Sequence, residues 1–351
     1  MISGYCTAEG TTRYAARFPG PASQGFYRQA GEWLVSSLGI GTYLGAMTDE
    51  TDRQYAAAVQ LALRGGINFI DTSLNYRLQR SERAVAAAVK TLTGAGEVRR
   101  DEFAVCTKAG FLVPKATPKL KESDIAGGIH SMAPAFLRDQ LERSRTNLNL
   151  ETIDVYYLHN PETQLSQYSP EEVYRRFHEA FAALEGFVEA GRIRCYGAAT
   201  WQAFREKPGS GKGLLLARLL EIARAAGGAS HHFRFVQLPF NLAMPEALAE
   251  RNEARDGVPS GVLDVAARGG VTVVASAALL QARLAWNLPP QVAAQIPGGC
   301  TDAHRAIQFA RSAPGITVAL VGMSKPEHVR ENLEVAEFPP APRELYAGLV
   351  A

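Results

Sequence analysis

Residues 65–83 read GGINFIDTSLNYRLQRSER. The apolar run 67–70 ends on an acid, Asp71. Tyr76 follows five residues later, and Ser81-Glu82-Arg83 opens a helical pattern. An acid placed where an apolar strand runs out marks that strand's C-terminal end. In parallel α/β folds this is the end that carries chemistry.

Outward from this stretch the chain has a rhythm. Apolar runs with strand character fall at 38–43, 67–71, 103–108, 153–159, 193–198, 233–238, 271–276 and 316–321. Helical patterns fall between and after them, at 56–64, 81–92, 214–226, 262–268, 303–311 and 326–336. Leu137, Leu141 and Leu148 line one face of a further helix. Val173, Phe177, Phe181, Leu184 and Val188 recur at helical spacing in another. That helix opens at Ser169-Pro170-Glu171-Glu172, a capping box with proline in the first turn. Eight βα units without a composition break predict a single (β/α)8 TIM barrel over residues 26–351. The first strand reads LGIGTYLGAM and lacks a GxGxxG leading into a helix, so a doubly wound dinucleotide fold is disfavoured. Residues 26–37 read as a β-hairpin turning at Gly31-Glu32. Residues 1–25, rich in Gly, Pro, Ser, Thr and Arg, read as an irregular arm. Segments 110–131, 160–169 and 277–301 are long, follow strands, and so belong to the catalytic face.

Composition narrows the partners. The 351 residues are 46% hydrophobic and 21% charged, with net charge +2, which gives no electrostatic case for nucleic acid or an anionic membrane. Cys6, Cys106, Cys195 and Cys300 form no metal-ligand spacing. Cys106 and Cys195 lie in apolar runs and read as buried, reduced thiols, which suits the cytoplasm. The first twenty residues hold no continuous apolar segment, so no secretory signal is expected. The run 271–280 is too short to span a bilayer.

Three consecutive strand ends carry complementary groups: Asp71 with Tyr76, then Lys108, then His159. Each alone has a structural explanation as a cap, a packing residue or a solvated charge. Together they suit proton transfer to or from an oxygen. A tyrosine with an ordinary pKa of about 10 needs help near neutral pH, and an adjacent ammonium favours its phenolate. Asp71 would keep Lys108 charged, and His159 would orient the same substrate oxygen.

GGINFIDTSLNY, FAVCTK and YYLHNPE resemble signature segments of the aldo-keto reductases, and the likeness extends from about Leu38 to Ala336. The resemblance implies hydride transfer between a nicotinamide cofactor and the carbon of a small aldehyde, ketone or sugar-like substrate. It makes Tyr76 the general acid or base, tuned by Lys108 and Asp71, with His159 positioning the carbonyl. It also implies a cofactor set: Thr42, then Thr200 and Gln237 at the nicotinamide carboxamide, and Ser276 and Leu279 beside the ring. Ser324, Lys325, His328, Glu331 and Asn332 complete it at the adenosine phosphate end. NADP is expected on family precedent, with NAD as the alternative. Ala199 and Ser276 depart from the family pattern, which has a serine and a stacking aromatic there; Trp201 or Phe240 would have to compensate. Phe111 and Trp286 are further candidate walls. Ser324 and Glu327 read as a capping box. Arg77 follows Tyr76 where glycine is common, and its side chain is expected at the pocket mouth, favouring anionic substrates. Two other activities fit the same residues: a redox-neutral epimerase or lyase that retains its cofactor, and a nucleotide-binding regulatory protein of the channel β-subunit kind.

Overall fold

The computed structural model describes the chain except residues 207–209, 211–212, 256–257 and 350–351. Eight parallel strands close into a barrel. They are β1 (Leu38–Gly41), β2 (Phe69–Asp71), β3 (Ala104–Ala109), β4 (Ile153–His159), β5 (Ile193–Ala199), β6 (Phe233–Pro239), β7 (Thr272–Ser276) and β8 (Val318–Gly322). β8 pairs with β1 through Ala319↔Leu38 to Gly322↔Gly41, which closes the ring. The outer helices are α1 (Asp49–Arg64), α2 (Arg80–Gly94), α3 (Pro134–Leu148), α4 (Pro170–Glu189), α5 (Leu216–Gly227), α6 (Val262–Arg268), α7 (Asp302–Ser312) and α8 (Pro326–Leu333). All eight expected strands and eight helical patterns fall on these elements.

The strands are near-continuous apolar runs because both of their faces are covered. One face packs on the helices. The other fills the barrel with Phe69, Cys106, Val155, Tyr157, Phe235, Val274 and Val318. The hairpin Tyr27–Ala30/Trp33–Ser36 turns at Gly31-Glu32 as expected and plugs the N-terminal end of the barrel. Its Trp33 ring stacks on Phe235 at 5.8 Å.

The arm expected to be irregular instead carries two short helices, Ala8–Ala15 and Pro19–Ser23. Thr7 caps the first by accepting from the Gly10 amide. Tyr14, fully buried, donates to the Leu63 and Ile67 carbonyls. Arg13 pairs with Asp101 and Glu102. These contacts tie to the body a segment whose helix formers are interrupted by Gly, Thr and Pro.

Ser169 caps α4 by accepting from the Glu172 amide at 3.3 Å, the serine half of the expected capping box, while the Glu172 carboxylate turns to Arg175 and Arg176. The second expected capping box is absent. Helix α8 is capped at Lys325, one residue beyond Ser324, because Pro326 takes the first helical position. The connection after β6 holds a short helix, Glu246–Ala249, and a hairpin, Glu253–Arg255/Val258–Ser260, that the sequence did not signal. The four cysteines are free; Cys6, Cys106 and Cys195 are buried and Cys300 is exposed. Among the described residues no helix is long and apolar enough to cross a membrane.

Candidate active site

Asp71 ends β2 and pairs in register with Cys106 of β3, two residues before Lys108. Parallel pairing therefore delivers both groups to one level at the C-terminal mouth. Lys108 Nζ donates to Asp71 Oδ1 at 2.5 Å, to the Thr72 carbonyl at 2.9 Å and to the Tyr76 hydroxyl oxygen at 3.3 Å. An ammonium has three protons, and each has an acceptor. The second Asp71 oxygen accepts from Gln237 Nε2 at 2.9 Å. Lys108 is fully buried. Burial alone would lower its pKa, but Asp71 and then Tyr76 outweigh it and hold Lys108 above its ordinary value.

Tyr76 lies between Tyr43, with ring centroids 4.9 Å apart, and His159, met edge-on at 5.7 Å. Burial pushes the Tyr76 phenol up; Lys108 pulls it back without cancelling the effect. The phenol is thus a neutral donor near neutral pH. This differs from the expectation that Lys108 would dominate, because the low-dielectric surroundings disfavour phenolate more than one ammonium favours it. His159 is held well below its ordinary pKa by burial, then by Lys108 and His130, and is neutral.

Phe111, a candidate wall in the sequence, and helpers the sequence did not signal surround His159. Phe111 meets it edge-on at 5.1 Å. His130, from the long segment after β3, meets the His159 carbonyl through Nε2 at 2.8 Å, while its Nδ1 is 2.8 Å from Gln164 Nε2. Gly110 permits this approach: a Cβ there would collide with the His159 carbonyl oxygen and the His130 ring. Ser73 approaches His159 Nδ1 at 3.2 Å. Its one clue in the sequence was its place between Asp71 and Tyr76.

Arg77 does not enter the pocket mouth. It is buried, donates to the Ala46 and Thr48 carbonyls, and pairs with Asp52 at 2.5 Å. Its backbone has φ of 48°, the first of three successive left-handed residues, with Leu78 at 52° and Gln79 at 72°. A glycine would take that conformation without strain. Here the buried ion pair ties the turn to the segment after β1.

The expected cofactor residues divide. Thr42 is fully buried and its hydroxyl donates to the Asp71 carbonyl at 3.2 Å. Gln237 is buried, with Nε2 on Asp71; its Oε1 has no protein partner among the described residues. The Thr200 amide, just after β5, donates to the Gln237 carbonyl of β6 at 2.8 Å, which sets these two side by side. Ser276 ends β7, and Leu279 follows in the next loop, both partly exposed. Ser324 is partly exposed, and Lys325, His328 and Glu331 are exposed around α8, whereas Asn332 is buried. Gly322, ending β8, is exposed with nothing within 4 Å of where a Cβ would lie. Phe240 cannot serve as a stacking face: it is fully buried and stacked on Phe309. Trp201 and Trp286 are exposed. Among the described residues no cluster of three metal-ligating side chains occurs.

Fold and site together define a parallel (β/α)8 barrel with a buried acid–lysine–tyrosine cluster at its C-terminal mouth. Residues 37–207 match the model of the aldo/keto reductase family. The chain is 28% identical over 174 residues to the NADH-specific methylglyoxal reductase of Escherichia coli K12, covering 48% of this chain and 49% of that one. The chain thus spans about half the length of that relative. It is 24% identical over 322 residues to a putative voltage-gated potassium channel subunit beta of Schizosaccharomyces pombe, covering 87% and 85%. An aldo-keto reductase of Klebsiella pneumoniae, solved with NADPH, shares the fold with a TM-score of 0.62 and 21% identity, covering 91% of this chain and 92% of that one.

Proposed function

We propose that the protein reduces a small aldehyde or ketone with a nicotinamide cofactor, and that Tyr76 donates the proton. The observation that carries this reading is Lys108 bridging Asp71 and the Tyr76 hydroxyl at the barrel mouth. Lys108 donates to the Tyr76 oxygen, which leaves the phenol's own proton free for a substrate oxygen. As that proton departs, the ammonium stabilises the phenolate in a site with little water. Asp71 keeps Lys108 charged and aimed, and Gln237 fixes the far oxygen of Asp71. His159, neutral, contacts the substrate oxygen region from β4.

The residues present suit a nicotinamide dinucleotide. Gln237 Oε1 and the Thr200 hydroxyl suit a carboxamide, and Ser276 and Leu279 would border the ring. Ser324, Lys325, His328 and Glu331 suit the phosphate and adenosine end, with Gly322 leaving the backbone open. When bound, the cofactor supplies hydride to the carbonyl carbon. NADP is the favoured form, because Lys325 has no ion-pair partner among the described residues and is available to a 2′-phosphate. Cytoplasmic location fits the buried free thiols.

The test is a panel of aldehydes and ketones assayed with NADPH and with NADH. Net oxidation of either cofactor supports the reading. Tightly retained cofactor with no net oxidation, and turnover of a sugar epimer, would replace it with the redox-neutral alternative.

A further inference from the structure

His130 stands on the long segment after β3 and is fully buried. Burial lowers its pKa to about 4, so near neutral pH its ring carries a single nitrogen-bound proton. One ring nitrogen then donates and the other accepts. Nε2 lies 2.8 Å from the His159 carbonyl oxygen, and Nδ1 lies 2.8 Å from Gln164 Nε2. Gln164 is also fully buried, yet its orientation is set from the outer layer. Arg176 of α4 directs Nη1 at Gln164 Oε1, at 3.3 Å. A guanidinium has donors only, so the carboxamide turns its oxygen to Arg176 and its NH2 to His130. Nδ1 must therefore accept, and the ring proton falls on Nε2. Arg176 is held in turn. Its Nε donates to Glu172 at 2.8 Å and its Nη2 to the Ser123 carbonyl at 2.8 Å, and its guanidinium carbon lies 3.7 Å from the centre of the Tyr168 ring.

The Nε2 proton lands where the ladder stops. Pairing of β3 with β4 ends at Ala109↔Leu158, one residue before His159. Asn160 then enters the left-handed region, with φ of 47°. The peptide between His159 and Asn160 is tied at both edges: its amide donates to the Ala199 carbonyl at 2.6 Å, and its carbonyl accepts from His130. The geometry points to His130 as a positioning residue, whose Nε2 proton, placed there by Arg176 through Gln164, holds the peptide that presents His159 to the substrate oxygen. The effect on turnover rests on the carbonyl-reductase reading; the place of the proton does not. With the other tautomer, a nitrogen lone pair would face a carbonyl oxygen, and repulsion would unseat the end of β4.

Nitrogen NMR of the full-length protein labelled with ¹⁵N-histidine reads the proton directly, the His130 signals being assigned by their loss in His130→Gln. Wild type should show a protonated Nε2 and an unprotonated Nδ1. Gln164→Glu keeps an acceptor for Arg176 but offers His130 only acceptors, so Nδ1 should become protonated. A wild-type proton on Nδ1 overturns the inference, as does an unprotonated Nδ1 in Gln164→Glu. The positioning half is read from turnover of glycolaldehyde with NADPH. His130→Phe removes the donor and should lower kcat by about fivefold, the scale of one hydrogen bond, with NADPH affinity unchanged. His130→Gln keeps an amide donor and should recover most of that loss. Wild-type kcat in His130→Phe overturns the positioning role, as does an equal loss in both variants. Gln164→Glu, nearly isosteric with wild type, keeps the inference open to refutation where His130→Phe fails to fold. Absence of turnover in wild type, with the Nε2 proton in place, defeats the reductase reading but not the tautomer.

Discussion

Lys108 has three ammonium protons, and the fold supplies an acceptor for each: Asp71, the Thr72 carbonyl and Tyr76. Lys108→Met should remove turnover and leave Asp71 buried without its cation. An uncompensated buried charge costs about 3–5 kcal/mol, so chemical denaturation should show a loss on that scale. A loss below about 1 kcal/mol would mean that the ion pair contributes little. Arg77 makes the opposite point. Beside Tyr76 in sequence, it looked like a substrate contact, yet its side chain turns away to Asp52. Arg77→Ala should destabilise by about 1–3 kcal/mol and affect anionic and neutral carbonyl substrates equally. A selective loss of anionic substrates would restore the pocket-mouth reading. The four strand-end groups were legible because a strand's end is visible in its apolar pattern. Ser73, Tyr43 and Gln164 were not, because their roles depend on contacts made only when distant segments meet. Ser73 and His159, 86 residues apart, are the clearest case.

At the scale of elements, the long segment after β3 is pinned to the end of β4 by His130. Burial lowers His130 from its ordinary 6.5 to about 4. Below pH 6.5 the unfolded chain binds a proton that the folded chain refuses until about pH 4. Stability therefore falls with pH across that window, by about 1.4 kcal/mol per pH unit and roughly 3 kcal/mol in all. Urea denaturation between pH 7 and pH 4 should show this slope, and His130→Gln should flatten it. An unaltered slope in the variant would assign the acid sensitivity elsewhere, His159 being the next group depressed by burial. Helix starts were legible where the cap was unopposed, as at Ser169. At Ser324 the same signal failed, because Pro326 fixes the first helical position and moves the cap to Lys325. The N-terminal helices were missed for a different reason. Gly, Thr and Pro break up their short runs of helix formers, and the order comes from Tyr14 and Arg13 docking on the body.

For the whole molecule, alternating strand and helix periods specified the closed barrel, since a parallel sheet buried on both faces reads as repeated apolar runs. The arm is part of this body. Removing residues 1–25 deletes fully buried Cys6 and Tyr14 and uncovers the barrel surface they pack on, and should lower stability by about 3 kcal/mol or more. An unchanged melting temperature would show the arm to be an independent appendage. Cofactor choice was less legible, because the residues proposed to set it are exposed side chains around α8 and loops whose shape no periodicity encodes. Solved reductases share the barrel, and a putative channel subunit is among the sequence relatives, so fold alone does not decide activity. The decision falls on the proton. The most direct measurement is single-turnover reduction of glycolaldehyde by Tyr76→Phe, alongside fluorescence titration of NADPH on the same variant. The account predicts nearly unchanged NADPH affinity and a chemical step slowed by at least a hundredfold, the ordinary contribution of a positioned general acid. A Tyr76→Phe protein that reduces glycolaldehyde at the wild-type rate would contradict it.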